Sequence, residues 1–188
     1  MSRAGICWLV GLIGLATFAY GAYIPIKAEL AQLLIHRAWD ESVETGEQVK
    51  PWGWADMHPV LRLQSTQHDQ DLIVLSGDTG NVLAFGPGLS NDTPYIARPS
   101  SMMISGHRDT HFDFLEYIEF GDEIIITTID NTRQAFRVSN IEVIDTVNQD
   151  ITLTDNLIEL KLVTCFPFNA VTAGGSLRYV VTAHLRNG

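Results

Sequence analysis

The hydrophobic pattern changes character twice along the chain. Residues 5 to 24, "GICWLVGLIGLATFAYGAYI", hold no charged side chain. As a helix, a run of that length rises about 30 Å, the thickness of a bilayer's hydrocarbon core. A cleaved signal peptide has a shorter apolar core of roughly 7 to 15 residues. Ala19-Tyr20-Gly21 has the small residues of a cleavage site, but the length of the run favours an uncleaved transmembrane anchor. Arg3 precedes the run, and a short basic N-terminus before a first apolar segment stays inside. The expected topology is therefore a cytoplasmic N-terminus with residues 25 to 188 outside.

From Pro25 the pattern becomes helical and amphipathic. Ile26, Leu30, Leu33, Leu34 and Ala38 recur at spacings of three and four within "IKAELAQLLIHRAWDESVETGE". Pro25 suits the first turn of a helix and Gly46 its end. The stripe could touch a membrane surface, but packing on its own domain is the commoner use of such a face. "PWGWADMHP" then breaks the periodicity. Two tryptophans mark it as an ordered crossing rather than a flexible linker.

From residue 59 onward the alternation has the period of two that belongs to strands. "VLRLQ", "DLIVLSG", "NVLAF", "MMISG", "DEIIITTI", "QAFRVSNIEVI", "LIELKLVTC" and "LRYVVTAHL" are eight strand candidates, separated by turn signals such as Gly86-Pro87-Gly88 and Gly174-Gly175. Only "DFLEYIEF" has helical spacing. Many short strands with few helices predict a mainly β domain, a sandwich or a closed barrel. The expected division is an anchor over 1–24, a juxtamembrane helix and crossing over 25–58, and a β domain over 59–188.

Composition narrows the function. A net charge of −10 argues against nucleic acid and against tight binding to anionic lipid head groups. The two cysteines, Cys7 and Cys165, stand in the apolar run and at the end of a strand candidate. With Cys7 in the membrane they cannot meet, so no intramolecular disulfide forms. Cys7 precedes most of the apolar run, which excludes a lipoprotein reading and leaves it a small apolar residue.

The ionisable residues cluster in one place. His36, His58, His68 and His184 lie on the predicted helix, in polar connections or near the chain end, and read as surface residues. In "ISGHRDTHF", by contrast, His107, Arg108, Asp109 and His111 follow the end of an apolar strand within five residues. One chemistry for this cluster is a metal site, with His107 and His111 joined by Asp109 or Cys165. The other is a cysteine–histidine pair in which the Cys165 thiolate is the nucleophile and an imidazole moves the proton. Acyl transfer also needs donors for the developing oxyanion. Arg178 opens the last strand candidate and lies opposite Cys165 if the last two strands pair antiparallel, where a guanidinium can bond a carbonyl oxygen.

In order and local sequence, "SGHRDTHF", "LVTC" and "LRYVV" resemble the histidine, cysteine and arginine motifs of sortases, over residue 59 to the chain end. "PWGWADMHPV", "LAFGPG" and "VTCFPF…GGSLRYVV" look most like the Gram-negative sortases of marine proteobacteria. The resemblance implies a closed eight-stranded β-barrel with one or two short helices behind a bacterial inner-membrane anchor. It implies Cys165 as nucleophile, His107 as acid–base partner, Arg178 as support for substrate and oxyanion, and Thr164 as a residue shaping the substrate groove. It also implies the reaction: cleavage of a Leu-Pro-x-Thr-Gly-like tail on an exported protein, through a thioacyl enzyme resolved by an amine. No cofactor is implied. Asp109 and His111 read as loop-shaping residues. Lys161 departs from the family's Thr-Leu-x-Thr-Cys pattern, and its even offset from Cys165 puts both on one strand face.

Other readings fit less well. A papain-like protease has its cysteine before its histidine and at the start of a helix. A peptidoglycan L,D-transpeptidase carries a Ser-x-Gly-Cys-type motif that "LVTCFPF" lacks. The competitor from another class is a non-catalytic, membrane-tethered barrel that binds a partner, with Cys165 as a structural thiol.

Overall fold

The computed structural model describes residues 3–90, 100–154, 157–170 and 174–186, with only part of the side chains over residues 3–25; Cys7 lies outside the described side chains. Helix α1 (Arg3–Thr45) is continuous over 43 residues. Pro25 could open a second helix or lie in one that continues the apolar run, and the second holds, since position 25 lies inside α1. A proline removes one rung of the hydrogen-bond ladder, and the helix-favouring residues that follow it carry the helix on. Gly46 ends α1 as expected. Its φ of +72° suits a residue without Cβ, and its N–H donates to Ser42 O at 2.9 Å.

Among the described residues no helix is long and apolar enough to cross a membrane, so the expected span over residues 5 to 24 has its support in the sequence. Its described large side chains, among them Trp8, Leu12, Phe18 and Tyr20, are exposed.

The packed face of α1 shares Ala38 with the expected stripe but is otherwise a different one. Ile26, Leu30 and Leu33 are 65%, 53% and 66% exposed, whereas Ala31, Ile35, Ala38, Trp39 and Ser42 are buried. Both sets have helical spacing, so periodicity could not choose between them. Shape does: Ile35 and Trp39 fill the space against Met57, Ile73, Leu75 and Val82. The tryptophan-rich crossing is ordered as expected, with Trp52 edge-on to Phe85 at 5.2 Å.

The rest is a barrel of eight strands: β1 (Pro59–Ser65), β2 (Gln70–Ser76), β3 (Gly88–Leu89), β4 (Met102–Ser105), β5 (Glu123–Thr128), β6 (Arg133–Asp145), β7 (Glu159–Cys165) and β8 (Leu177–Leu185). It closes in the order β1-β2-β3-β4-β7-β8-β6-β5. Only β2–β3 and β4–β7 are parallel. Inward residues such as Leu61, Leu63, Ile104, Ile126, Leu162 and Val181 form one continuous core. Seven of the eight strand candidates are strands. "NVLAF" is the exception, because Gly80–Leu83 form a short helix α2 and the third strand is only Gly88–Leu89. The helical spacing of "DFLEYIEF" becomes a 3-10 helix over Asp113–Tyr117.

Candidate active site

Three strand ends build the site. β7 lies between β4 and β8. Ser105 of β4 pairs with Val163 of β7, and Gly106 N–H continues the ladder to Val163 O at 3.0 Å. β4 has ended by then; His107 follows Gly106 on this segment, and Cys165, two residues after Val163, is the last residue of β7. On the other side Cys165 is the direct partner of Arg178, as an antiparallel pairing of the last two strands predicts. Thiol, imidazole and guanidinium thus stand on three adjacent chains at one rim.

Cys165 and Arg178 also share a face. Leu160 and Leu162 belong to the barrel interior while Val163 packs outside with Ile144 and Val180. Alternation along the strands therefore turns Cys165 and Arg178 outward, beside an apolar strip of Val163, Val180, Met103 and Ile144 that Ile151 of the β6–β7 connection covers. Cys165 is half-buried and free of a disulfide, and His107 is exposed. Lys161 follows on the same outward face, as its offset implies, and pairs with buried Glu159 at 3.7 Å.

Thr164 points the other way. It is buried, and its hydroxyl donates to Gly106 O at 2.7 Å. Its geometry ties β7 to the segment carrying His107. The N–H of Phe166, which follows the thiol, donates to Leu177 O at 3.1 Å and so is engaged within the turn. Arg178 uses Nη1 to hold Gly175 O at 2.7 Å and Leu177 O at 3.0 Å. Among the described residues its Nε and Nη2 have no hydrogen-bond partner.

Arg108 is the residue that sequence reasoning passed over. Its neighbours His107 and Asp109 are exposed, yet Arg108 is 8% exposed. Its Nε and Nη2 fork onto Asp109 at 2.8 and 3.0 Å, while Nη1 reaches Pro167 O at 2.5 Å and Nη2 reaches Ala170 O at 3.0 Å. The Arg108 hydrogen bonds hold the Asp109 carboxyl below its ordinary range. The only sequence signal was a cation directly after the motif histidine.

The alternative metal site is not assembled: among the described residues no three His, Cys, Asp or Glu side chains are placed to hold an ion. Of the remaining histidines, His36 is exposed as expected, whereas the other three are more engaged. His58 bonds Ser76, His68 bonds Asp122 at 2.7 Å, and His184 lies 4.0 Å from Glu159.

Burial holds His58 and His111 below the ordinary imidazole value near 6.5, with Lys50 adding at His58 and His107 at His111, where Asp113 opposes. The unfolded chain therefore binds more protons just below that value. Stability is complete above about pH 6.5 and falls as pH drops through it. Urea midpoints are expected to decline between about pH 7.5 and 5.5, with a shallower decline in His58→Gln and His111→Gln. A flat wild-type profile across that window contradicts this.

A closed mixed barrel that carries Cys165 and Arg178 as cross-strand partners, with His107 just beyond the end of β4, defines the class, a β-barrel with a free cysteine at one rim. The sortase domain model matches residues 62–186. The chain belongs to the sortase family. It is similar to sortase D of Bacillus subtilis (strain 168), 28% identical over 121 residues, 63% of this chain and 60% of that protein. A Clostridium perfringens sortase D5 transpeptidase has the same fold, with a TM-score of 0.66 at 19% identity over 85% of this chain and 99% of that one. Sortase A from Corynebacterium diphtheriae gives 0.60 at 20% identity, over 99% of this chain and 96% of that one.

Proposed function

We propose that this chain is a membrane-anchored cysteine transpeptidase, working outside the cytoplasmic membrane on a Leu-Pro-x-Thr-Gly-like tail of an exported protein. The observation that carries this reading is the meeting of β4, β7 and β8 at one rim, where Cys165 has His107 on one side and Arg178 on the other. The Cys165 thiolate attacks the threonine carbonyl carbon. The oxygen of the tetrahedral intermediate accepts hydrogen bonds from Arg178. The C–N bond to glycine then breaks as the leaving amine takes a proton from His107, leaving a thioester. An incoming amine attacks that thioester and gives its proton to His107, the new amide forms, and the Cys165 thiolate is released beside the imidazolium.

Several finer features belong to the same reading. The apolar strip beside Cys165 suits the apolar part of the tail, with Thr164 fixing the groove's floor from inside. Asp109 and His111 shape the loop after His107. The uncharged run over residues 5 to 24 supports a single-pass anchor with the N-terminus inside. The motif spellings support placement with the marine proteobacterial sortases. The acceptor is an amine.

The test uses the full chain in spheroplasts and a membrane-impermeant methanethiosulfonate carrying a Leu-Pro-x-Thr peptide. One disulfide adduct is expected at Cys165 and none at Cys7, located by peptide mapping. A folded protein with an inert Cys165 sinks the enzyme reading in favour of a binding barrel. Labelling that appears only after permeabilisation sinks the topology.

A further inference from the structure

The two segments holding the proposed reacting groups are joined at two levels. Within the barrel, Thr164 Oγ1 and the Gly106 amide tie the end of β4 to β7. Beyond β7 the chain leaves Cys165 in a turn, Phe166 to Ala170, whose first residue is held to β8 by the Phe166 N–H bond to Leu177 O. Within it the Ala170 N–H donates to Pro167 O at 3.2 Å. Phe166 and Phe168 pack on Tyr179, at 6.1 and 5.0 Å between ring centroids. Ring packing alone allows sliding, whereas hydrogen bonds fix distance and direction.

The guanidinium of Arg108 supplies that fixed link. It starts one residue from His107 and ends on the carbonyls two and five residues beyond Cys165. Asp109 balances its charge and holds the plane of the fork. Four hydrogen bonds from one nearly buried group occupy most of its five N–H donors. A lysine ammonium could keep the charge but not the planar, multiply directed contact. Arg108 is also near enough to Cys165 for the charge of a thiolate to favour its cation.

Resting on the reading that Cys165 and His107 react together, we propose that Arg108 is a positioning residue: it clamps the turn after Cys165 to the histidine segment and so holds thiol and imidazole in one geometry through both acyl-transfer steps. The role does not need Arg108 to touch substrate. It requires that loosening the turn slow the chemical steps more than it weakens tail binding, since the apolar strip lies on the strands.

The experiment compares full-length wild type, Arg108→Gln and Arg108→Lys in detergent. Amide hydrogen exchange is followed over residues 166–170 and over β7. Cleavage of a fluorophore-labelled Leu-Pro-x-Thr-Gly peptide gives kcat and KM per folded molecule. Exchange in 166–170 is expected to quicken at least tenfold in Arg108→Gln, with β7 unchanged. The same variant should lose at least tenfold in kcat with KM within twofold, and Arg108→Lys should recover part of both. A merely structural role would lower the melting temperature without this split. Unchanged exchange in 166–170 overturns the clamp, and so does a kcat within twofold of wild type. Should Arg108→Gln fail to fold, Arg108→Lys decides on the same two readouts against wild type. A wild type that cleaves no peptide counts against the transpeptidase reading, while the exchange comparison still decides the clamp.

Discussion

Cys165→Ala is expected to abolish peptide cleavage, and His107→Ala and Arg178→Ala to lower kcat by at least about 10²–10³-fold, the range seen when one oxyanion donor is removed. The fold should survive all three. Cys165 sits half-buried at a strand end and His107 is exposed, so neither truncation opens a core cavity. Arg178→Ala frees the carbonyl of Gly175 in a stretch open to water, while Leu177 O keeps its bond from Phe166 N–H, so the lost partner costs little. Melting temperatures near that of wild type would therefore leave chemistry as the explanation. Arg178→Lys should recover little, because a point charge does not reproduce the fork. The double variant Cys165→Ala/His107→Ala should be no slower than Cys165→Ala alone, since groups that act as one unit are not additive. A near-normal rate in His107→Ala or Arg178→Ala removes that residue from the mechanism.

How much of this was readable in the sequence depends on how local each feature is. Strand alternation is local, so β1, β2 and β4 to β8 stand where the pattern puts them, and the pairing of Cys165 with Arg178 follows from the last two strands being neighbours. Closure of the sheet is not local. A sandwich and a barrel have the same alternation, and the pairing of β5 with β1 decides between them. A two-residue strand such as β3 leaves no periodic trace, and "NVLAF" turns helical because the pairing falls on Gly88 and Leu89 instead. On α1 the buried face was chosen by the fit of Trp39 and Ile35 against β2, which helical spacing cannot express. Arg108 was hidden for the same reason: its partners, Pro167 and Ala170, lie about sixty residues further on. Neighbouring residues suggested only a polar cluster.

Gly106→Ala should be the most informative single methyl in the protein. A Cβ there would lie 2.6 and 2.7 Å from Cγ and Cδ2 of Phe112 and 3.0 Å from its Cδ1. These atoms are at the root of the ring, so no flexible end can swing away. Phe112 is wholly buried and edge-on to Phe114 at 5.9 Å, and its N–H donates to His107 O at 3.0 Å. Either the ring shifts into a packed core, or the end of β4 lifts from β7 and strains the Gly106 bonds to Val163 and Thr164. Overpacking of this kind costs about 1–3 kcal/mol, measurable as a lower urea midpoint. Both routes also move His107, so kcat per folded molecule should fall by more than the loss of folded protein accounts for. Shape can be restored from the other side: Phe112→Leu in the Gly106→Ala background makes room for the methyl and should recover part of the stability. A Gly106→Ala variant with unchanged midpoint and rate would mean that β4 and Phe112 do not hold His107 in place.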